Sequence, residues 1–161
     1  MEAEHMDEND RSILVAQGYL ELGMFRAAAR ELDSLPPERW DHSDALEVRA
    51  LSLMGEQCWE QALGVAERLR EVAPDQPGGF IHAAYCLHEM GCTQDALELL
   101  LRGPASLRKK SVFYYNVGCY QARLGQLDAA METLQKSFEM ESALRKSARR
   151  DPDLQALKSK L

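Results

Sequence analysis

The chain has no uninterrupted apolar run approaching the ~18 residues that a membrane span needs, so no membrane partner is expected. It has no surplus of positive charge either. Its 19 Lys and Arg stand against 26 Asp and Glu, for a net charge of −7. That balance offers no general attraction to nucleic acid or anionic lipid and mainly serves solubility. The opening residues, MEAEHMDENDR, lack the basic head and apolar stretch of a secretory signal, and the expected location is the cytoplasm. Residues 1–8 read as an acidic disordered terminus.

Chemical motifs are equally scarce. The four cysteines, Cys58, Cys86, Cys92 and Cys119, form no CxxC, and the step from Cys86 to Cys92 fits no common zinc framework. In a reducing compartment such thiols pack as small hydrophobes. There is no glycine-rich phosphate loop, GxSxG, HExxH or DxDxDG calcium loop. Carboxylates are abundant but belong on solvated helix exteriors, and nothing marks a cleft that would shift one of their pKa values. The nearest approach to a metal set is His82, His88 and Cys119. The six-residue step between the histidines is poor for joint ligation from one helix, where i and i+4 is favoured. No catalytic residue, cofactor or metal is therefore expected, and the chain reads as a non-enzyme.

What is present is a period. Four segments, LGMFRAAAREL, EQCWEQALGVA, MGCTQDALELL and LGQLDAAMETL, place Ala28, Ala62, Ala96 and Ala130 at successive intervals of 34 residues. Twelve residues before each alanine sits another small residue: Ala16, Ala50, Ala84 and Gly118. Small side chains at both places let two helices approach closely. Phe25, Trp59, Thr93 and Leu127 come three residues before each alanine, and Leu32, Ala66, Leu100 and Leu134 four residues after, on the same helical face. A repeat of this length built from two amphipathic helices is a stacking unit.

The pattern resembles the tetratricopeptide repeat family, whose unit is 34 residues. The fourth unit matches it best, with Tyr114, Gly118, Gly125, Ala130, Leu134 and Ser137, and Pro74 falls at the closing proline of the second unit. Gln121 departs from the pattern where an aromatic is usual, a role kept by Tyr19 in unit one. The resemblance spans residues 9–144 and implies an all-α, right-handed solenoid of four helix-turn-helix repeats, at 9–42, 43–76, 77–110 and 111–144. A basic linker and C-terminal capping helix follow at 145–161, with an ending similar to that of many bacterial repeat proteins.

Within that frame the first helices are expected at about 9–22, 43–55, 77–90 and 108–124, and the second helices at about 25–35, 58–72, 93–102 and 127–143. Ser43 and Thr93 are candidate caps, Pro77 suits a first turn, and Gly23, Gly91 and Gly125 suit tight turns. Pro36 and Pro104 share one repeat position and should end the second helices of units one and three about a turn early. The loops that follow, PPERWDH and GPASLRK, should then project from one edge. Asp151 and Pro152 read as the cap and first-turn proline of the last helix, whose Leu154, Leu157 and Leu161 would cover the open end of the solenoid.

The resemblance further implies a concave surface lined by first helices, where family members hold peptides or helices. Projecting its lining positions gives Ile13, Gln17, Val48, Leu51, Met54, Ile81, His82, Tyr85, His88, Tyr115, Asn116, Cys119 and Arg123 as the candidate peptide groove. The same projection also yields Leu14, Leu20, Glu21, Glu47, Glu89 and Val112. The lysine and asparagine clamp that grips acidic C-termini in chaperone-binding members is missing in both registers. The apolar lining with tyrosine and methionine suits an extended or amphipathic protein segment instead. The expected function is a protein-binding adaptor or scaffold, monomeric or weakly dimeric, with no nucleic-acid or membrane partner. The alternatives are a type III secretion-like chaperone or a homo-oligomer formed through solenoid edges, for instance through Trp40.

Overall fold

A computed structural model describes residues 7–161. Among them there are nine α-helices and no strand. Eight form consecutive pairs: α1 (Glu8–Glu21) with α2 (Phe25–Asp33), α3 (Ser43–Gly55) with α4 (Trp59–Val72), α5 (Pro77–Glu89) with α6 (Thr93–Leu101), and α7 (Ser111–Arg123) with α8 (Leu127–Met140). Each pair packs internally and against the first helix of the next, as in a solenoid. After α8 come the short α9 (Ala143–Ala148) and a 3-10 helix, Pro152–Lys160.

The small residues found by spacing sit where the helices touch. Ala28, Ala62, Ala96 and Ala130 are all 0% exposed, as are Ala16, Ala50 and Ala84. At the eighth position of the last unit even a methyl would be too much: a Cβ on Gly118 would lie 2.6 Å from Leu134 Cγ. The tight turns fall at residues 23, 57, 91 and 125, again at the repeat interval. Gly23, Gly91 and Gly125 adopt φ of 69°, 85° and 80°, and the same place in the second unit is filled by Gln57 at φ 59°. Glycine adopts this region freely; glutamine does so at a cost.

The proline argument also shows in the helices. α2 and α6 are 9 residues long, whereas α4 and α8 are 14. The two loops behave differently from each other, however. In the first, Trp40 is half exposed and its indole N–H donates to the Leu35 carbonyl at 2.8 Å. In the second, residues 105–109 form a 3-10 turn that buries Leu107 completely beside Gly103, so this loop folds inward instead of projecting. That turn uses the residues expected to open the seventh helix, and α7 starts at Ser111.

Two of the expected caps take other parts. Ser43 is the first helical residue of α3, one place after the cap residue His42, and the Thr93 hydroxyl is engaged by His88. The N-terminal reading falls mostly on residues 1–6, which lie outside the described residues. Asp7 caps α1 through the Asn9 amide, and Glu8 opens the helix, where negative charge suits the dipole.

The C-terminal segment behaves as a cap. Asp151 accepts from the Asp153 amide at 2.9 Å, Pro152 takes the first helical position, and Leu154 and Leu157 are buried with Phe113, Val117, Leu134 and Phe138. Leu161 packs at the border of the same cluster. Without this segment the α7–α8 pair would leave that apolar face in water.

Candidate functional site

The C-terminal cap does more than close the core. At the turn Asp151–Pro152–Asp153 an extended Asp151 (φ −74°, ψ 122°) leads into the 3-10 helix, and the turn is held by α5 and α7. The Asp151 carboxylate accepts from Tyr115 Oη at 2.7 Å and from the Cys119 thiol at 3.8 Å. Asp153 accepts from His88 Nε2 at 2.8 Å, and its other oxygen lies 3.7 Å from Arg123 Nε. His88 is fixed on its far side by the Thr93 hydroxyl, 2.9 Å from Nδ1, and its ring stacks on Tyr120 at 4.7 Å between centroids. Four of the residues projected onto the groove, His88, Tyr115, Cys119 and Arg123, thus come together around one turn of the chain itself.

Beside this joint, α5, α7 and the segment from Ser147 to Asp153 enclose a cavity of about 540 Å³. Tyr85, His88, Tyr115, Asn116 and Cys119 of the projected groove line it, together with Glu89, Tyr120 and Arg150. Burial, with the carboxylates of Asp151 and Asp153 adding to it, pushes the Cys119 thiol well above its ordinary pKa. Tyr115 and Tyr120 are likewise raised, first by burial. The Tyr85 hydroxyl is raised by burial and by the Glu89 carboxylate. A thiol kept protonated is a poor nucleophile. The hydroxyl–imidazole–carboxylate line through Thr93, His88 and Asp153 orders the joint, since Thr93 is not part of the cavity wall.

The other projected residues divide by unit. Ile13 and Val48 are 5% and 2% exposed, within the small N-terminal core. Gln17 is exposed and lines a shallow cleft with Asp10, Leu14 and Asp44, while Leu51, Met54 and Ile81 are half buried. His82 is buried and bonds Glu47 at 3.1 Å, a contact that holds the Glu47 carboxyl below its ordinary value despite partial burial. The two histidines therefore serve separate carboxylates, one in α3 and one in the C-terminal turn. No group of three metal-ligating side chains occurs among the described residues, and no helix among them is long and apolar enough to cross a membrane.

Spacing missed Asp151, Asp153 and Arg150 as parts of this site, because they lie outside the 34-residue period. The Asp-Pro signal announced a helix start but not where that start would dock.

No protein-family model and no curated protein matches the sequence. Solved structures do. A MamA fragment (41-end) from Desulfovibrio magneticus RS-1 superposes with a TM-score of 0.71 at 18% identity, covering 89% of this chain and 81% of that one. A crystal structure of MamA gives 0.71 at 14% identity, covering 88% and 83%. A third, MamA MSR-1 C2, gives 0.64 at 13% identity, covering 89% and 82%. The fold is shared with MamA. At these identities the likeness to MamA concerns the fold and carries no residue-level correspondence of sites.

Proposed function

We propose that this chain is a protein-interaction module that holds an extended or amphipathic partner segment along the concave side of its first helices, as a four-repeat solenoid without catalytic activity of its own. The observation that carries this reading is the docking of residues 151–153. The extended cap residue Asp151 and the first turn of the 3-10 helix that follows it lie across side chains from two successive units, gripped by His88 of α5 and by Tyr115, Cys119 and Arg123 of α7. Tyr85, Met54, Leu51 and Gln17, projected onto the same side in the preceding units, are exposed or half buried. Half-exposed tyrosine and methionine give such a surface rigid contact area and adaptability.

Affinity capture from the host lysate tests it, using Met54→Glu/Tyr85→Glu against wild type, with Trp40→Ala as a control away from the groove. Both groove side chains are partly exposed, so the variant should keep its helical circular dichroism. A partner retained by wild type and by Trp40→Ala but lost by the double variant supports the groove. A partner retained by the folded double variant places the contact elsewhere and overturns this reading.

A second reading is favoured by charge. Residues 1–101 hold 20 of the 26 acidic residues and 7 of the 19 basic ones, while residues 102–161 hold 6 and 12. Opposite ends of opposite sign suit head-to-tail contact between copies. Light scattering at low and high salt separates the two, because only self-association would raise the mass at low salt and lose it at high salt.

A further inference from the structure

The cavity beside the C-terminal turn contains a polar group that the protein leaves unused. Asn116 is 9% exposed and lines the cavity, yet none of the hydrogen bonds that build the joint around it involves its amide. In the same wall the neighbouring Tyr120 hydroxyl is buried with no hydrogen-bond partner, which is costly. A cavity of about 540 Å³ with such an amide in its floor is built to receive something.

The charges around it indicate what. The carboxylates of Glu89, Asp151 and Asp153 face the space, against Arg150 at the rim and the imidazole of His88. Asp153 is already served by His88 and Arg123, but Glu89 has no ion pair among the described residues, and Asp151 receives only neutral donors. Tyr85 and Tyr115 supply aromatic walls that suit a cation on an apolar stem. The raised hydroxyls of Tyr85 and Tyr115 agree with a negative local field, since carboxylates contribute to both shifts.

We propose that this cavity is a subsite for a cationic side chain, lysine or arginine, of a bound polypeptide, with Glu89 and Asp151 facing the charge and the Asn116 amide bonding the neighbouring polar group. The proposal rests on the reading of the concave side as a binding surface and names the chemistry of its occupant. It is the reverse of an acidic-tail clamp: the acidic partner is already present in the chain as residues 151–153, and the remaining space has the opposite preference.

The test is a titration of the ¹⁵N-labelled full chain with N-acetyl-lysine methylamide, N-acetyl-norleucine methylamide and N-acetyl-glutamate methylamide, following the Asn116 side-chain amide signals. Only the lysine derivative should shift them saturably. Glu89→Gln, an exposed change that leaves the core intact, should weaken its binding about fivefold, the worth of one semi-exposed charge pair. Arg150→Gln, which removes a like charge from the rim, should tighten it. A preference for the glutamate derivative with both variants reversed, equal shifts from all three derivatives, or no shift at all would each overturn the cationic subsite. Capture of a partner through Met54 and Tyr85 without any lysine response would leave the groove standing and remove only this inference. A lysine response with no captured partner would do the opposite.

Discussion

The two halves of this molecule are built from the same repeat but are finished differently. The C-terminal half has a continuous core from Ala84 through α6, α7 and α8 to Leu157, sealed by residues 143–161. The N-terminal half gathers a much smaller cluster around Ile13, Ala16, Leu32 and Val48. It leaves Leu14 54%, Leu22 73% and Met24 48% exposed. A solenoid's stability is close to a sum of unit and interface contributions, so a sealed end and a bare end should differ in local stability. The difference extends to the first helices: α5 and α7 hold the C-terminal turn through His88 and Tyr115, whereas Gln17 of α1 stays exposed.

The largest test of this contrast is truncation of one leucine at each end, buried at the sealed end and exposed at the bare one. Leu157→Ala should destabilise by about 2–5 kcal/mol, because it opens a cavity in the sealed core. Leu14→Ala should stay within about 0.5 kcal/mol, since that side chain is largely in water already. Urea denaturation followed by circular dichroism measures both, and equal effects would break the comparison.

Next in size is Gly118→Ala. The same position holds alanine in the other three units, so the sequence alone calls the change harmless. The added methyl would meet Leu134 Cγ at 2.6 Å and Cδ2 at 2.8 Å, and the expected cost is about 1–3 kcal/mol by thermal or urea unfolding.

The N-terminal half should carry an acid-sensitive tie that crosses from α3 to α5. The His82 hydrogen bond holds Glu47 below its ordinary value. A carboxyl lowered in the folded state adds stability above its unfolded pKa and loses it as pH falls through the folded one. The wild-type urea midpoint should therefore drop on acidification below about pH 4.5, and Glu47→Gln should drop less. An identical acid dependence in the variant would remove Glu47 from the account.

The smallest expected effect sharpens the repeat itself. Gln57→Gly should stabilise by about 1 kcal/mol or less, because the turn position at φ 59° is held by glycine in the other three units. A loss of stability would mean that the glutamine side chain contributes more than its backbone costs.

Much of this architecture was legible before any coordinates. Ala28, Ala62, Ala96 and Ala130 lie buried at helix crossings as their spacing required, and Pro36 and Pro104 shorten the helices they follow. Val48 and Ile13 show the limit of such projection. Their repeat positions point toward the first-helix face, but in a short solenoid neighbouring first helices close over them. Leu107 was equally hidden in a segment that reads as a loop, because a single leucine in a polar stretch gives no period. The spacing of His88 from His82 argued against joint metal ligation but did not name its partner, which is Asp153, 65 residues away.

The sequence by itself determined the unit, its length, its turns and the order of the helices, because these follow from local spacing, small residues at crossings and backbone preference. Only the tertiary structure decided where the last segment lies, which groove residues it covers, and that Asn116 is left facing a cavity. Those outcomes depend on contacts between residues far apart in the chain and outside the repeat. No period records such contacts; they exist only once the ends of the chain have packed.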